Sequence, residues 1–191
     1  MHNIAIILLV IVIAIAAVAT AWYLGRRRSQ RLRRNFGPEY ERAVRQFGDR
    51  RSAESELERR TKRIEKYDIH GISPEEKRRF ADAWRAEQKR FVDEPDQAVI
   101  RAHELVGELM RARGYPVSAE FEENAADLSV DYPAVVGHYR QACAIAARRE
   151  RGQANTEDLR SAMLHYRELF EELLRMPVSE PHEKSPQETR R

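Results

Sequence analysis

A single cysteine, Cys143, leaves this chain without an internal disulfide or a multi-cysteine zinc site. One cysteine suits a reducing compartment, and the small apolar run Ala142-Cys143-Ala144-Ile145-Ala146 marks a packed thiol rather than a nucleophile. The eight glycines never cluster, which excludes a P-loop and a dinucleotide fingerprint. No Gly-x-Ser-x-Gly elbow or catalytic-cysteine signature occurs, so no local mark of nucleophilic catalysis exists. His2, His70, His103, His138, His165 and His182 form neither a His-Glu-x-x-His nor a Glu-x-x-His arrangement, the spacings used by zinc proteases and di-iron bundles. No catalytic residue, metal or cofactor is therefore expected. Period-two alternation is also missing, which excludes a sheet and makes the expected fold all-α.

The most informative feature present is the unbroken apolar run from Ile4 to Leu24, followed at once by Arg26, Arg27, Arg28, Arg31, Arg33 and Arg34. A helix of about 21 residues spans the ~30 Å hydrocarbon core of a bilayer. A cleaved secretory signal is the competing reading, because Ala17-Val18-Ala19 and Ala19-Thr20-Ala21 look like cleavage sites. Signal peptides carry positive charge before a shorter apolar core, whereas here the charge follows a longer one. Trp22 and Tyr23 also sit where the run ends, the depth at which amphipathic rings anchor a span. Residues 1–25 thus read as a transmembrane anchor, with Met1-His2-Asn3 outside and the arginine block on the cytoplasmic side.

Charge is unevenly spread beyond the anchor. Lys and Arg outnumber Asp and Glu by 8 between Arg26 and Arg63, and the acids lead by 5 from Ile64 onward. Anionic lipid headgroups attract juxtamembrane arginines, so Arg26, Arg27, Arg28, Arg31, Arg33 and Arg34 are the expected headgroup contacts. Nucleic acid is not an expected partner, because no recognition motif or interleaved aromatics accompany the charge.

Phe36-Gly37-Pro38 breaks the first helix, and a thin stripe through Tyr40, Val44, Phe47, Ala53, Leu57, Ile64 and Tyr67 predicts a basic helical arm over residues 26–72. Ser73-Pro74-Glu75-Glu76 is a capping box opening a bundle over residues 73–176. Its first helix presents Phe80, Trp84, Gln88 and Phe91. A second runs from Pro95 to a left-handed cap at Gly114, and a short one covers Ala119 to Leu128. Ser129 or Asp131 is expected to cap the next helix, entered through Pro133, and Asn155 precedes the last, which ends at Met176-Pro177. That makes four to five bundle helices. Residues 177–191 are too polar to offset their ordering entropy and read as a disordered tail.

Two local constellations invite a binding role. His138-Tyr139-Arg140 recurs as His165-Tyr166-Arg167 on helices expected to pair antiparallel. Tyr139, Arg140, Tyr166 and Arg167 then become a candidate groove for a carboxylate or phosphate. The structural alternative makes the tyrosines core-edge rings and the arginines covers of apolar surface. The acceptor-rich loop from Asp127 to Pro133 is the other, with helix capping as its plain explanation.

Phe36-Gly37-Pro38-Glu39-Tyr40, Phe91-Val92-Asp93, Arg113-Gly114-Tyr115-Pro116, Asp127 to Pro133, and Thr156-Glu157-Asp158-Leu159-Arg160 with His165-Tyr166-Arg167 resemble an uncharacterised family of bacterial single-span membrane proteins with a helical cytoplasmic domain. The similarity covers most of the chain through Leu174 and implies a bacterial inner-membrane protein with no established activity or site residues. The expected function is a protein-interaction or scaffold module at the inner face of the cytoplasmic membrane. Two rival expectations are an anionic-ligand sensor or hydrolase using the Tyr/Arg groove, and a stalk-like structural subunit. The breaks at Gly37-Pro38, Ser73-Pro74, Pro95, Gly114 and Pro133 argue against one long stalk helix.

Overall fold

The computed structural model describes residues 2–175; the side chains of residues 2–14, 18 and 21 lie outside the description. Among the described residues there are eight helices and no strand, so the chain is all-α. No helix among them is long and apolar enough to cross a membrane. The expected anchor falls largely on those undescribed side chains, and the expected tail lies outside the described residues altogether.

Two compact units divide the chain, residues 1–58 and 59–191. The first contains α1 (His2–Phe36), α2 (Pro38–Phe47) and most of α3 (Arg50–Ile64). α1 stops where Gly37 takes a φ of 45°, and Pro38 opens α2 with its fixed φ and missing amide proton. Gly48, in the left-handed region at φ 80°, closes α2 by donating its amide to the Val44 carbonyl. α2 therefore ends here, and α3 begins two residues later at Arg50. Leu32, Phe36, Tyr40 and Ala43 are buried, spaced along one side of α1 and α2. Inside this unit the Tyr40 hydroxyl donates to Glu54 Oε1 at 2.7 Å, tying α2 to α3.

The second unit holds α4 (Pro74–Arg90), α5 (Pro95–Ala112), α6 (Phe121–Asp131), α7 (Val136–Glu150) and α8 (Thr156–Arg175). The capping box forms as the sequence requires: Ser73 Oγ accepts from the Glu76 amide at 3.1 Å, and Glu76 Oε2 accepts from the Ser73 amide at 3.0 Å. Asn155 and Asp158 make the equivalent reciprocal pair at the start of α8. Helix pairs α4·α5, α5·α8, α7·α8 and α6·α7 pack together around one core. In that core Trp84 stacks on Phe170 with centroids 4.6 Å apart, and Phe80 meets the same ring edge-on. Burial of such aromatic and aliphatic side chains, each contributing about 1.5–3 kcal/mol, supplies most of the stabilisation.

Two expectations change here. On α4 the inward position after Trp84 is Glu87 and not Gln88, because seven residues from Phe80 return closer to the same side of a 3.6-residue helix than eight do. The segment from Asp127 to Asp131 is helix rather than loop, and neither Ser129 nor Asp131 caps α7, whose Val135 N-cap makes no side-chain cap bond. α6 instead runs until Tyr132, the residue that Pro133 forces out of the helical region. Tertiary partners claim both expected caps: Ser129 Oγ accepts from Arg60 Nη1 at 3.3 Å, and Asp131 accepts from the Tyr115 hydroxyl.

Candidate functional site

Polar chemistry is concentrated at one place in the first unit and two in the second. In the first unit, Trp22, Arg26, Ser29 and Arg33 recur at helical spacing on one side of α1 and face Arg50, Arg51 and Glu54 of α3 across a cleft of about 680 Å³. Arg26 lies over the Trp22 ring at 5.3 Å and Arg27 over Tyr23 at 4.6 Å. These cation–π contacts hold the two guanidiniums along the helix, beside the end of the apolar run. Arg28 makes a bidentate pair with Glu58 at 2.5 and 2.7 Å. Arg33 reaches Glu41 at 3.2 Å and covers the Tyr40 ring at 5.1 Å. Arg31 and Arg34 are exposed and do not line the cleft.

Of the six expected headgroup arginines the cleft therefore gathers Arg26, Arg28 and Arg33. It adds Arg50 and Arg51, which the sequence reading did not single out. Their only local signal is their position: a first helical turn with two cations and no acid, contrary to the macrodipole preference. Asp49 offsets part of that by accepting the Ser52 amide at 2.9 Å, and the Ser52 hydroxyl, followed by this amide, holds its carboxyl below the ordinary range.

In the second unit a polar seam runs between α5, α6, α7 and α8. Residue numbers fall along α8 as they rise along α7, from His138–His165 to Arg148–Asp158, so the two helices are antiparallel. Tyr139 and Tyr166 are buried with rings 6.4 Å apart, edge to face. The Tyr166 hydroxyl lies 3.1 Å from His103 Nδ1 and 3.8 Å from Cys143 Sγ, while the Asn124 amide bonds to the Ser118 backbone at 2.8 Å. Burial raises both tyrosines and pushes the Cys143 thiol up to about 11, so all three keep their protons at neutral pH.

The helix register thus brings the tyrosines together but not the arginines. Arg140 Nε donates to Glu122 of α6 at 3.3 Å. Arg167 lies 3.7 Å from Glu168 and from Glu171 on its own helix. The same register places His138 and His165 face to face, Nδ1 to Nδ1 at 3.0 Å, a distance at which one ring donates and the other accepts. Desolvation, then the neighbouring His138, holds His165 below its ordinary value. Among the described residues no group of three or more His, Cys, Asp or Glu side chains is arranged to hold a metal.

A third cluster joins the end of α3 to α6. Arg63 pairs with Glu123 at 2.5 Å and stands 3.2 Å from Asp127 Oδ2, without hydrogen-bond geometry to the latter. Burial outweighs the Arg63 charge and pushes the Asp127 carboxyl up to about 6 from 3.8. A raised carboxyl favours the fold in its protonated form, so this group adds stability as the pH falls from 7 through 6 and gives no further gain below about 3.8. His165 and His103, both lowered, pull the opposite way over the upper part of that range. Asp127→Asn is therefore expected to raise stability at pH 7 by of order 2 kcal/mol and to have little effect at pH 4. Urea melts of both proteins across that range check this; a constant difference between them would refute it.

No family model, curated protein or solved structure matches this chain.

Proposed function

We propose that this chain is a membrane-tethered interaction module at the inner face of a bacterial cytoplasmic membrane. In this reading the run from Ile4 to Leu24 crosses the bilayer once, and the helical bundle projects into the cytoplasm toward a protein partner. The observation that carries it is the junction on α1. A run of twenty-one residues, apolar except for Thr20, ends at Trp22, Tyr23 and Leu24, all exposed, and the next turn brings Arg26 and Arg27 over the two aromatic rings. An exposed Trp-Tyr pair capped by arginines is what the boundary between hydrocarbon and headgroups stabilises, since the rings straddle it and the charges stay on the wet side.

The buried seam supports a structural role for the bundle: Tyr166 bonds to His103 and Cys143, Asn124 bonds to the Ser118 backbone, and the interior charges Arg140 and Arg63 reach carboxylates. Recognition of a partner then falls to the outer helix surfaces, where charged residues dominate.

Topology tests the proposal. Cys143 is buried, so a cysteine introduced as Thr189→Cys is the reactive thiol of the folded chain. It should resist a membrane-impermeant maleimide in intact cells and react after lysis, with the protein remaining in the membrane pellet through a carbonate wash. Labelling in intact cells, or release by carbonate, would refute the anchor.

A further inference from the structure

We infer that the cleft between α1 and α3 binds the headgroup of an anionic phospholipid that carries two phosphate charges. The inference rests on the anchoring proposed above and deepens it from diffuse attraction to a defined site. Five guanidiniums line the cleft, from Arg26, Arg28, Arg33, Arg50 and Arg51, against one carboxylate, Glu54. Two of them are already engaged, Arg28 by Glu58 and Arg33 by Glu41. Among the described residues Arg26, Arg50 and Arg51 have no carboxylate within ion-pair distance, and Glu54 is held by the Tyr40 hydroxyl. Within the lining, three guanidiniums without an ion pair and one carboxylate leave two positive charges, which two phosphodiester groups would balance; Asp49, outside the lining, acts on Arg51 through space.

Position selects a lipid as the source of that phosphate. At about 1.5 Å per residue, Arg26 to Arg33 extend from ~3 to ~14 Å beyond Leu24 along the helix axis. The polar layer of a bilayer occupies the first ~5–7 Å beyond its hydrocarbon on each side, so the floor of the cleft opens within it. Trp22 lines the cleft at the end nearest the apolar run along α1 and suits the glycerol backbone and the first methylenes. A volume of about 680 Å³ is in the range of small-molecule sites and exceeds what one inorganic phosphate fills. Arg50 and Arg51 stand at the positive end of the α3 dipole, where an anion relieves their mutual repulsion and forked guanidiniums bind phosphate oxygens in pairs.

The full chain is to be assembled into phosphatidylcholine discs doped to equal phosphate charge with phosphatidylglycerol or with diphosphatidylglycerol. Lipids retained after release are then counted by native mass spectrometry. The expected result is one retained diphosphatidylglycerol per chain in preference to phosphatidylglycerol. The pair R50Q/R51Q should weaken it about 30-fold. The charge-matched pair R31Q/R34Q, outside the cleft, should leave it unchanged. Ser29→Phe, which fills the cleft without altering charge, should also lose the lipid. Equal loss from both arginine pairs would overturn the cleft in favour of diffuse attraction. Equal retention of the two lipids would overturn the two-phosphate assignment, and displacement by millimolar glycerol phosphate or inorganic phosphate would overturn the lipid source. A chain that elutes apart from the discs refutes the anchor itself, an outcome distinct from an inserted chain that retains no lipid.

Discussion

Replacing Gly114 with alanine should lower the melting temperature of the second unit by more than about 10 °C, or prevent its folding. Gly114 follows the end of α5 at φ 83°, a left-handed conformation that costs an L-residue about 1–2 kcal/mol. That term alone is modest. The decisive term is space: a Cβ here would overlap the backbone carbonyl oxygen of Asp68 and lie 3.2 Å from His70 Nδ1. The Asp68 carbonyl cannot swing aside, because His70 Nδ1 bonds to it at 2.7 Å and the His70 amide donates to the Arg113 carbonyl at 3.1 Å. Relief therefore requires the segment before α4 to leave the end of α5. Gly152→Ala is the control, since its φ of 67° imposes the same backbone cost with nothing within 4 Å of the new methyl. Thermal melts of the two variants should differ severalfold in their shift. Equal shifts would show that the close approach to Asp68 has no energetic weight.

This contrast also separates what was legible in the sequence from what was not. Local chemistry read correctly: Gly114 as a left-handed cap, the Ser73–Glu76 capping box, and the helix break at Phe36-Gly37-Pro38 all depend on residues within one helical turn of each other. The repeated His-Tyr-Arg triplet predicted that Tyr139 and Tyr166 meet, because antiparallel pairing reverses the second motif and leaves its central position level with that of the first. His138 and His165, one residue before each tyrosine, also meet, which that alignment alone does not give. It misdirects for Arg140 and Arg167, which turn about 100° from the tyrosines in the sense opposite to the histidines, away from the side on which His138 and His165 meet. Ser129 and Asp131 looked like caps because their side chains favour that role when nothing else claims them. Arg60 and Tyr115 claim them, and contacts of 69 and 16 residues' separation leave no trace in local spacing. The arginine cleft was half visible: α1 carried a conspicuous block, whereas Arg50 and Arg51 became part of the site only through the turn that folds α3 back toward α1.

Arg113, the neighbour of Gly114, gives the second large effect, and Arg113→Ala should destabilise the chain by about 3–5 kcal/mol. It is a completely buried arginine. Its amide closes α5 by bonding the Leu109 and Met110 carbonyls, and its Nη1 donates to the carbonyl of Leu173 near the end of α8. A cation there meets the negative end of the α8 dipole, which offsets part of the cost of burying it. Alanine strands the Leu173 carbonyl without its donor and leaves a cavity where the guanidinium packed. Arg113→Met restores most of the volume but not the donor, so it should recover part of the loss and remain about 1–3 kcal/mol below the parent. Arg111, exposed on the same last turn, should tolerate alanine with a change near zero. Denaturant melts rank the three variants, and a penalty at Arg113 no larger than that at Arg111 would dismiss the tie between α5 and α8. Because Gly114 and Arg113 hold the same corner, their combined substitution should cost less than the sum of the two. Once the end of α5 has separated from Asp68, the guanidinium no longer has a fixed α8 carbonyl to lose.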